Sequence, residues 1–315
     1  MVATAFLSAL VLNDAIALLM TPIVVRSAKS LKVKPVPYLV ALALAANIGS
    51  VATEIGNPQN AYIAIASGIP FLTFTAILLP VTLVSLAVGI GLVWLAFRKD
   101  LAAPLQRADH LPPVRLERTG LAVTLGIAFA VVSAFILSTP AWLPVIAIVG
   151  GALVFFFVPF LTKATPRALV TKVDWSIVLF FVGLFVLLEG VQVSGLSDRI
   201  EEGFTTAFGG RSGGLVWVTG LSAILSNLIS NVPAVLLLAQ VVPAGSNQLW
   251  LVLASSSTLA GNATILGAAC NVIVVQIAAR EGVEVSMRDF VKAGLPVTIA
   301  TLVLSTAIIA LLVPA

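Results

Sequence analysis

Apolar runs of roughly 20 residues or more recur along this chain and constrain its fold more than any other feature. A helix of that length covers the hydrocarbon core of a bilayer. Backbone polar groups in lipid must be satisfied within the segment, which leaves helices or closed barrels. The runs fall at about 3–25, 38–67, 70–97, 118–138, 141–161, 175–194, 213–242, 248–279 and 292–313. Charged residues make up 10% of the chain, where a soluble domain carries about 25%, and mean hydropathy is +1.14. The pattern predicts an all-α integral membrane protein. The single cysteine, Cys270, excludes a disulfide framework and a multi-cysteine metal site. Basic residues lie between the runs, which fits membrane topology and not a nucleic-acid surface.

Several runs carry polar interruptions. Asn13-Asp14 interrupts 3–25, and Ser226-Asn-Leu-Ile-Ser-Asn-Val-Pro233 interrupts 213–242. Both read as re-entrant hairpins that enter and leave on one side. The runs 38–67 and 248–279 read as broken helices, interrupted at 49–60 and at 261–267. Non-helical backbone at membrane depth is tolerated only where protein or water satisfies it, so these tips and breaks should line a cavity. The predicted organisation has a first repeat at 1–97, a linker at 98–117 and a second repeat at 118–315.

The basic residues orient this arrangement. With both hairpins returning to their own side, 15 of the 17 Lys and Arg residues share one face, and only Arg199 and Arg211 lie on the other. The positive-inside rule makes the first face cytoplasmic and the C-terminus extracytoplasmic. The expected location is the cell membrane.

The chain also repeats itself. Asn13-Asp-Ala-Ile-Ala-Leu-Leu resembles Asn231-Val-Pro-Ala-Val-Leu-Leu. Thr53-x-x-Gly56-x-x-x-Asn60 matches Thr264-x-x-Gly267-x-x-x-Asn271, and Leu79-Pro-Val-Thr82 matches Leu295-Pro-Val-Thr298. The offsets are 218, 211 and 216 residues, in one order. Opposite placement of the two hairpins makes the repeats inverted, the architecture of secondary transporters. The second repeat has three runs before its hairpin and the first has none. We therefore expect that roughly 100 residues of scaffold helices are missing from the first repeat relative to a symmetric ancestor.

Of the 13 acidic residues, only Asp14, Glu54 and Glu189 fall inside apolar runs, and no Lys or Arg does, Arg118 and Lys292 standing only at the first position of theirs. Ionisable groups at membrane depth are candidates for function. Asp14 is also placed as a helix cap, and Glu189 lies near the end of its run. The breaks expose helix N-termini that attract anions, and carbonyl, Asn and Thr oxygens that suit Na⁺. The substrate- and ion-binding candidates are Asn13, Asp14, Thr53, Glu54, Asn57, Asn60, Asn231, Asn262, Thr264 and Asn271. Asn13, Thr53, Asn231 and Thr264 are the candidates for Na⁺. The alternative is that these groups only satisfy one another between helices.

An enzyme is not expected. Gly210-Arg-Ser-Gly-Gly214 fits the G-x-S-x-G pattern, but the only histidine, His110, lies in a loop on the opposite face. Cys270 reads as a small packed residue or as a soft ligand beside the second break.

The segments Leu12-Asn-Asp-Ala-Ile-Ala-Leu-Leu-Met-Thr-Pro22, Ala52-Thr-Glu-Ile-Gly-Asn-Pro-Gln-Asn60, Val173-Asp-Trp-Ser-Ile-Val-Leu-Phe-Phe-Val-Gly183, Ser230-Asn-Val-Pro233 and Gly261-Asn-Ala-Thr-Ile-Leu-Gly-Ala-Ala-Cys-Asn271 resemble the ion transporter superfamily. That superfamily includes citrate and dicarboxylate transporters, arsenite permeases and sodium/proton antiporters. The resemblance implies a dimerising scaffold domain and a transport domain that moves in an elevator-like way. It implies a site at the hairpin tips and helix breaks, with H⁺ or Na⁺ as coupling ion and no other cofactor. Dicarboxylate members carry Ser-Asn-Thr at the tips. Here the tips read Leu12-Asn-Asp14 and Ser230-Asn-Val232, and an Asp there resembles the arsenite and antiporter branches. Proton- or Na⁺-coupled transport of a small anionic or neutral oxyacid is therefore expected, with an arsenite-type efflux permease favoured. A passive channel and a non-transporting remnant are the competing classes.

Overall fold

The computed structural model describes residues 1–102, 118–162, 165–171 and 214–314 except Ala244, with scattered positions between 173 and 195. The linker at 98–117 beyond Ala102, half of the run at 175–194, His110 and the Gly210–Gly213 stretch lie outside the described residues. The described residues are helical and contain no strand.

The first helices are α1 (Val2–Leu10) and α2 (Asn13–Ser30), parted at Val11 and Leu12. Next come α3 (Val36–Ser50), α4 (Pro58–Ser67) and α5 (Phe71–Leu101). The middle of the chain gives α6 (Arg118–Leu137), a 3₁₀ turn (Pro140–Trp142), α7 (Leu143–Leu161) and the short α8 (Pro166–Val170). The last third gives α9 (Gly214–Ile229), α10 (Asn231–Leu238), α11 (Asn247–Ala260), a 3₁₀ turn (Ile265–Gly267), α12 (Ala269–Arg280) and α13 (Met287–Leu312).

Among the described residues, four helical segments are long and apolar enough to cross a bilayer: Phe71–Leu101, Arg118–Leu137, Pro140–Leu161 and Met287–Leu312. The broken pairs differ from these. Helices α3 and α4 have 15 and 10 residues, and α11 and α12 have 14 and 12. At ~1.5 Å per residue none of the four covers a core of about 30 Å by itself.

Local chemistry explains the interruptions. Pro58 opens α4, and a residue before proline is driven out of the helical region. Asn57 is accordingly extended, at φ −148° and ψ 143°. The matching residue of the second break, Ala268, takes φ −146° and ψ 145° without a proline after it. Gly68 ends α4 in the left-handed conformation, φ 69°, which glycine adopts without a Cβ penalty. Ser286 caps α13 by accepting from the Asp289 N–H at 3.1 Å.

Packing sets two kinds of helix apart. Helices α3 and α11 are almost entirely buried, and both lie at the centre. Helices α6 and α7 bury only Gly120, Phe135, Leu143 and Gly150 between them. Around the centre the pairings come in matched sets. Helix α1 packs on α3, and α9 packs on α11. Helix α2 packs on α12, and α10 on α4; α3 packs on α12, and α11 on α4. Helix α5 packs against α13. At one end of the molecule Arg26 pairs with Glu281 at 3.1 Å and Lys34 with Asp100 at 2.7 Å. Lys29 Nζ also donates to the Glu281 carbonyl, and Lys292 Nζ lies 5.0 Å from the Phe97 ring centroid.

Candidate functional site

The breaks after α3 and α11 close on themselves in the same way. Asn60 Nδ2 donates to the carbonyls of Ser50 and Thr53, both at 3.0 Å. Asn271 Nδ2 donates to those of Gly261, at 2.7 Å, and Thr264, at 3.0 Å. Each donor and each acceptor of the first set is related to the second by the same shift, Asn60 to Asn271, Ser50 to Gly261 and Thr53 to Thr264. Glycine lets the loop approach itself closely. A Cβ on Gly56 would lie 2.5 Å from the Ser50 carbonyl oxygen, and one on Gly267 would lie 2.8 Å from that of Gly261. The invariant feature of both breaks is thus an Asn side chain satisfying two carbonyls that the interrupted helix leaves without intrahelical partners.

These bonds fix the orientation of every amide beyond them, because carbonyls accept and only Nδ2 can face them. Asn271 therefore turns Oδ1 toward Asn47, whose Nδ2 donates to it at 3.0 Å and to Asn262 Oδ1 at 3.0 Å. Asn47 Oδ1 in turn accepts from Asn13 Nδ2 at 3.1 Å and from the Cys270 thiol at 2.9 Å. Asn13 Oδ1 accepts from the Asp14 N–H at 2.9 Å, and the Asn13 N–H donates to the Gly56 carbonyl at 3.0 Å. One connected network thus ties the first tip, the first break and the second break together. On the other side Gln59 Nε2 donates to Ser257 Oγ at 3.1 Å and Thr258 Oγ1 at 2.7 Å.

The two crossings are counterparts. Shifting Gln59 and Thr258 by 211 positions in opposite directions gives Cys270 and Asn47, the pair that meets in the other crossing.

Of the predicted residues, Asn13, Asn60, Asn262, Thr264 and Asn271 join the network or close the breaks. Thr53 Oγ1 donates to the Ala9 carbonyl at 2.5 Å, and Thr264 Oγ1 to Asn227 Oδ1 at 2.9 Å. Asn231 Oδ1 accepts from the Val232 N–H at 3.0 Å, within its own tip. The residue before it, Ser230, has φ 72°, a left-handed conformation that a non-glycine residue holds only at a cost. Glu54 is fully buried, and neither carboxylate oxygen has a hydrogen-bond partner. Asn57 is buried with Nδ2 unpartnered. Asp14 is half-buried at the first turn of α2, and Glu189 is exposed.

Asn47, Gln59, Asn227, Ser257 and Thr258 were not among the predicted residues. Asn47 had a signal, as a lone amide within the apolar stretch 39–48. Asn227 donates to the carbonyls of Ala223 and Ala260 at 2.9 Å each and so holds the first arm of the second interruption against α11. Among the described residues no cluster of three or more His, Cys, Asp and Glu side chains is placed to hold a metal ion.

The arrangement is rich in buried amides and hydroxyls, which donate and accept without net charge. Among the described residues it holds the carboxyl groups of Asp14 and Glu54 and no buried basic side chain. That chemistry suits uncharged hydroxyl-bearing solutes and cations better than multiply charged anions.

Comparison with known proteins points to membrane transport. The profile described as citrate transporter (CitMHS) matches residues 1–255. An uncharacterized transporter of Mycobacterium tuberculosis (strain H37Rv) is 30% identical over 320 residues, covering 96% of this chain and 73% of that protein. The silicon efflux transporter LSI3 of Oryza sativa subsp. japonica is 29% identical over 375 residues, covering 95% of this chain and 75% of that protein. A Dictyostelium discoideum transporter named arsB is 37% identical over 98 residues, covering 31% of this chain and 17% of that protein.

Proposed function

Because this chain belongs to the citrate transporter family, we propose that it is a secondary active transporter whose two helix breaks and two hairpin tips form one solute and ion site. It is a multi-pass membrane protein and not an enzyme. The cargo is a small neutral or weakly acidic oxyacid, coupled to H⁺ or Na⁺, with an arsenite-type efflux permease as the favoured branch. Other branches of the superfamily carry citrate, dicarboxylates or Na⁺ in exchange for protons.

The observation that carries this reading is the buried network of Asn13, Asn47, Asn262 and Asn271, next to a break that contains Glu54. Amides offer paired donors and acceptors to the hydroxyls of a molecule such as arsenous or silicic acid. A citrate trianion would meet Asp14 and Glu54, with no Lys or Arg in the interior of any apolar run to offset them. The relative named for silicon efflux agrees with this class of cargo.

The matched bonds and pairings support an inverted repeat with two re-entrant hairpins, α1–α2 and α9–α10. The basic chain ends gathered around Arg26, Lys34 and Lys292 support a cytoplasmic location for that face in the cell membrane. The exposed apolar helices α6 and α7 support a scaffold that pairs two copies, against which the central module moves.

The test is solute flux in everted vesicles under an imposed pH or Na⁺ gradient, with arsenite, germanic acid and citrate as separate cargoes. Gradient-driven arsenite or germanic acid accumulation that is lost in Asp14→Asn is the expected result. Citrate accumulation alone would reject the oxyacid cargo, and flux indifferent to both gradients would reject coupling.

A further inference from the structure

The two breaks share a backbone but not a side-chain state, and the difference assigns them different jobs. In the second break no buried side-chain oxygen is without a hydrogen-bond partner, and the one unpartnered side-chain atom is a donor, Asn262 Nδ2. Asn271 Oδ1 and Asn262 Oδ1 both receive Asn47 Nδ2. A carboxamide NH₂ between two oxygens does there what a small cation does, donating positive charge density to both. In the first break the matching oxygen, Asn60 Oδ1, has no partner. The residue that stands where Asn47 would have to come from is Thr258, whose hydroxyl donates to the Ala254 carbonyl at 2.8 Å.

The same segment holds more unpartnered oxygens. Both oxygens of Glu54 and Oε1 of Gln59 lack hydrogen-bond partners, and both residues are fully buried, as Asn60 is. Four acceptor oxygens thus fall within seven residues, one pair belonging to a carboxyl group. The counterpart of Glu54 in the second break is Ile265, which has nothing to ionise. An ionised carboxylate is not stable in such surroundings without a proton, a cation or a donor.

We infer that the first break is the transporter's single coupling site, taking one monovalent cation as H⁺ or Na⁺ on Glu54, while Asn47 permanently fills the matching place in the second break. This rests on the transport reading above and sharpens it to one ion per chain. It withdraws Thr264 and Asn231 as Na⁺ ligands and keeps the first break. The other titratable side chains on elements packed around this break are Asp14 of α2, Tyr38 of α3, Tyr62 of α4 and Cys270 of α12. Helices α1, α3, α4, α10 and α11 carry no charged side chain. Arg26 and Lys29 end α2 and Arg280 ends α12, where they meet one another's segments at the basic face. Arg98, Lys99 and Asp100 end α5, and Arg118 begins α6.

The experiment uses the full chain purified into lipid nanodiscs. Infrared difference spectra over a pH titration follow the C=O stretch of a protonated buried carboxylic acid, with and without Na⁺. We expect one such band, lost in Glu54→Gln and kept at shifted frequency in Glu54→Asp. A band that Na⁺ removes at constant pH identifies Na⁺ as a competing occupant, and one indifferent to Na⁺ identifies the proton alone. Persistence of the band in Glu54→Gln, or an ionised Glu54 with no Na⁺ bound, overturns the proposal. A second arm measures binding of radioactive Na⁺ alone. Asn47→Thr, which copies Thr258, should gain Na⁺ binding over wild type. Wild type binding two Na⁺ per chain overturns the filled second site. Arsenite flux in the same preparation separates the two levels of the argument. A Glu54 band without gradient-driven flux sinks the transport reading and leaves the site. Coupled flux that survives Glu54→Gln sinks the site and leaves the transport reading.

Discussion

The centre of this molecule and its α6–α7 arm bury opposite things. Around α3 and α11 the protein buries Asn, Gln, Ser and Thr side chains and leaves the interruptions non-helical. In α6 and α7 the backbone runs as helix and the apolar side chains face outward, with Phe129 77% and Phe160 75% exposed. A lipid-facing helix satisfies its own backbone and gains nothing from polar side chains. A broken helix must find partners for its freed carbonyls, and here one Asn per break supplies them. Polar burial at the centre is therefore the consequence of interrupting the helices, and the arm shows what the same chain does when it has no helix to interrupt.

The largest effect should come from removing the Asn that closes each break. Asn271→Ala leaves two buried carbonyls without their donor and removes an acceptor from Asn47. The expected loss is about 3–5 kcal/mol, and Asn60→Ala, which breaks two bonds but no crossing, should cost about 2–3 kcal/mol. Thermal unfolding in nanodiscs followed by tryptophan fluorescence measures both. Equal losses would mean that the Asn47 crossing contributes little. Losses below those of arm substitutions would reverse the comparison.

Next come four glycines. Gly56→Ala and Gly267→Ala push a Cβ against backbone and should each cost about 1–3 kcal/mol. Gly126 and Gly151 lie in α6 and α7 with nothing within 4 Å of a built Cβ. Alanine there should be neutral or stabilising by up to ~1 kcal/mol through helix propensity. Destabilisation at Gly126 or Gly151 would show that another chain lies close to the arm.

That arm carries the third prediction. Phe129→Ser and Phe160→Ser should change the stability of one chain by less than about 0.5 kcal/mol, because both side chains already lie outside the packed centre. If the arm joins two copies, the dimer fraction in dilute vesicles should fall in the double variant. Counting subunits by stepwise photobleaching reads this directly, and an unchanged fraction would place the dimer contact elsewhere.

The apolar runs made the helices legible in the sequence, because length and hydropathy decide which segments reach across a bilayer. The breaks were legible from Asn, Gly and Pro crowded into otherwise apolar segments, and Pro58 and Gly68 act locally as such residues must. The crossing was less legible. Asn47 sits in a stretch that is otherwise apolar, so its position looked like helix interior. Its partners Asn13, Asn262 and Asn271 are far away in sequence, and no local rule joins them. The offset between the matching motifs held the missing information. Applied to pairs and not to single residues, the 211-residue shift relates Gln59–Thr258 to Cys270–Asn47. Asn227 had no such signal, since the matching Ala9 offers a backbone carbonyl where Asn227 offers a side chain.

The smallest effect belongs to the basic face, where the comparison between centre and surface is sharpest for charge. Lys34 and Asp100 meet at 2.7 Å with side chains 76% and 28% exposed. The hydrogen bond and charge of Asp100 hold the Lys34 ammonium above its ordinary range, and the bond from Lys34, helped by Lys292, holds the Asp100 carboxyl below its own. For Asp100, a lowered folded value means a contribution present above the ordinary 3.8 and lost as pH falls through the folded value. For Lys34, a raised folded value means a contribution present below the ordinary 10.5 and lost as pH rises through the folded value. Between those limits the pair should give stability no slope with pH. Solvent and salt screen so exposed a pair, so Lys34→Ala should barely move the melting temperature, and Asp100→Asn likewise. Melting curves of both variants at low and high salt, across neutral pH, check this. A large loss that persists at high salt would mean that this end is buried against something, and the contrast would then lie between two packed regions and not between a core and a surface.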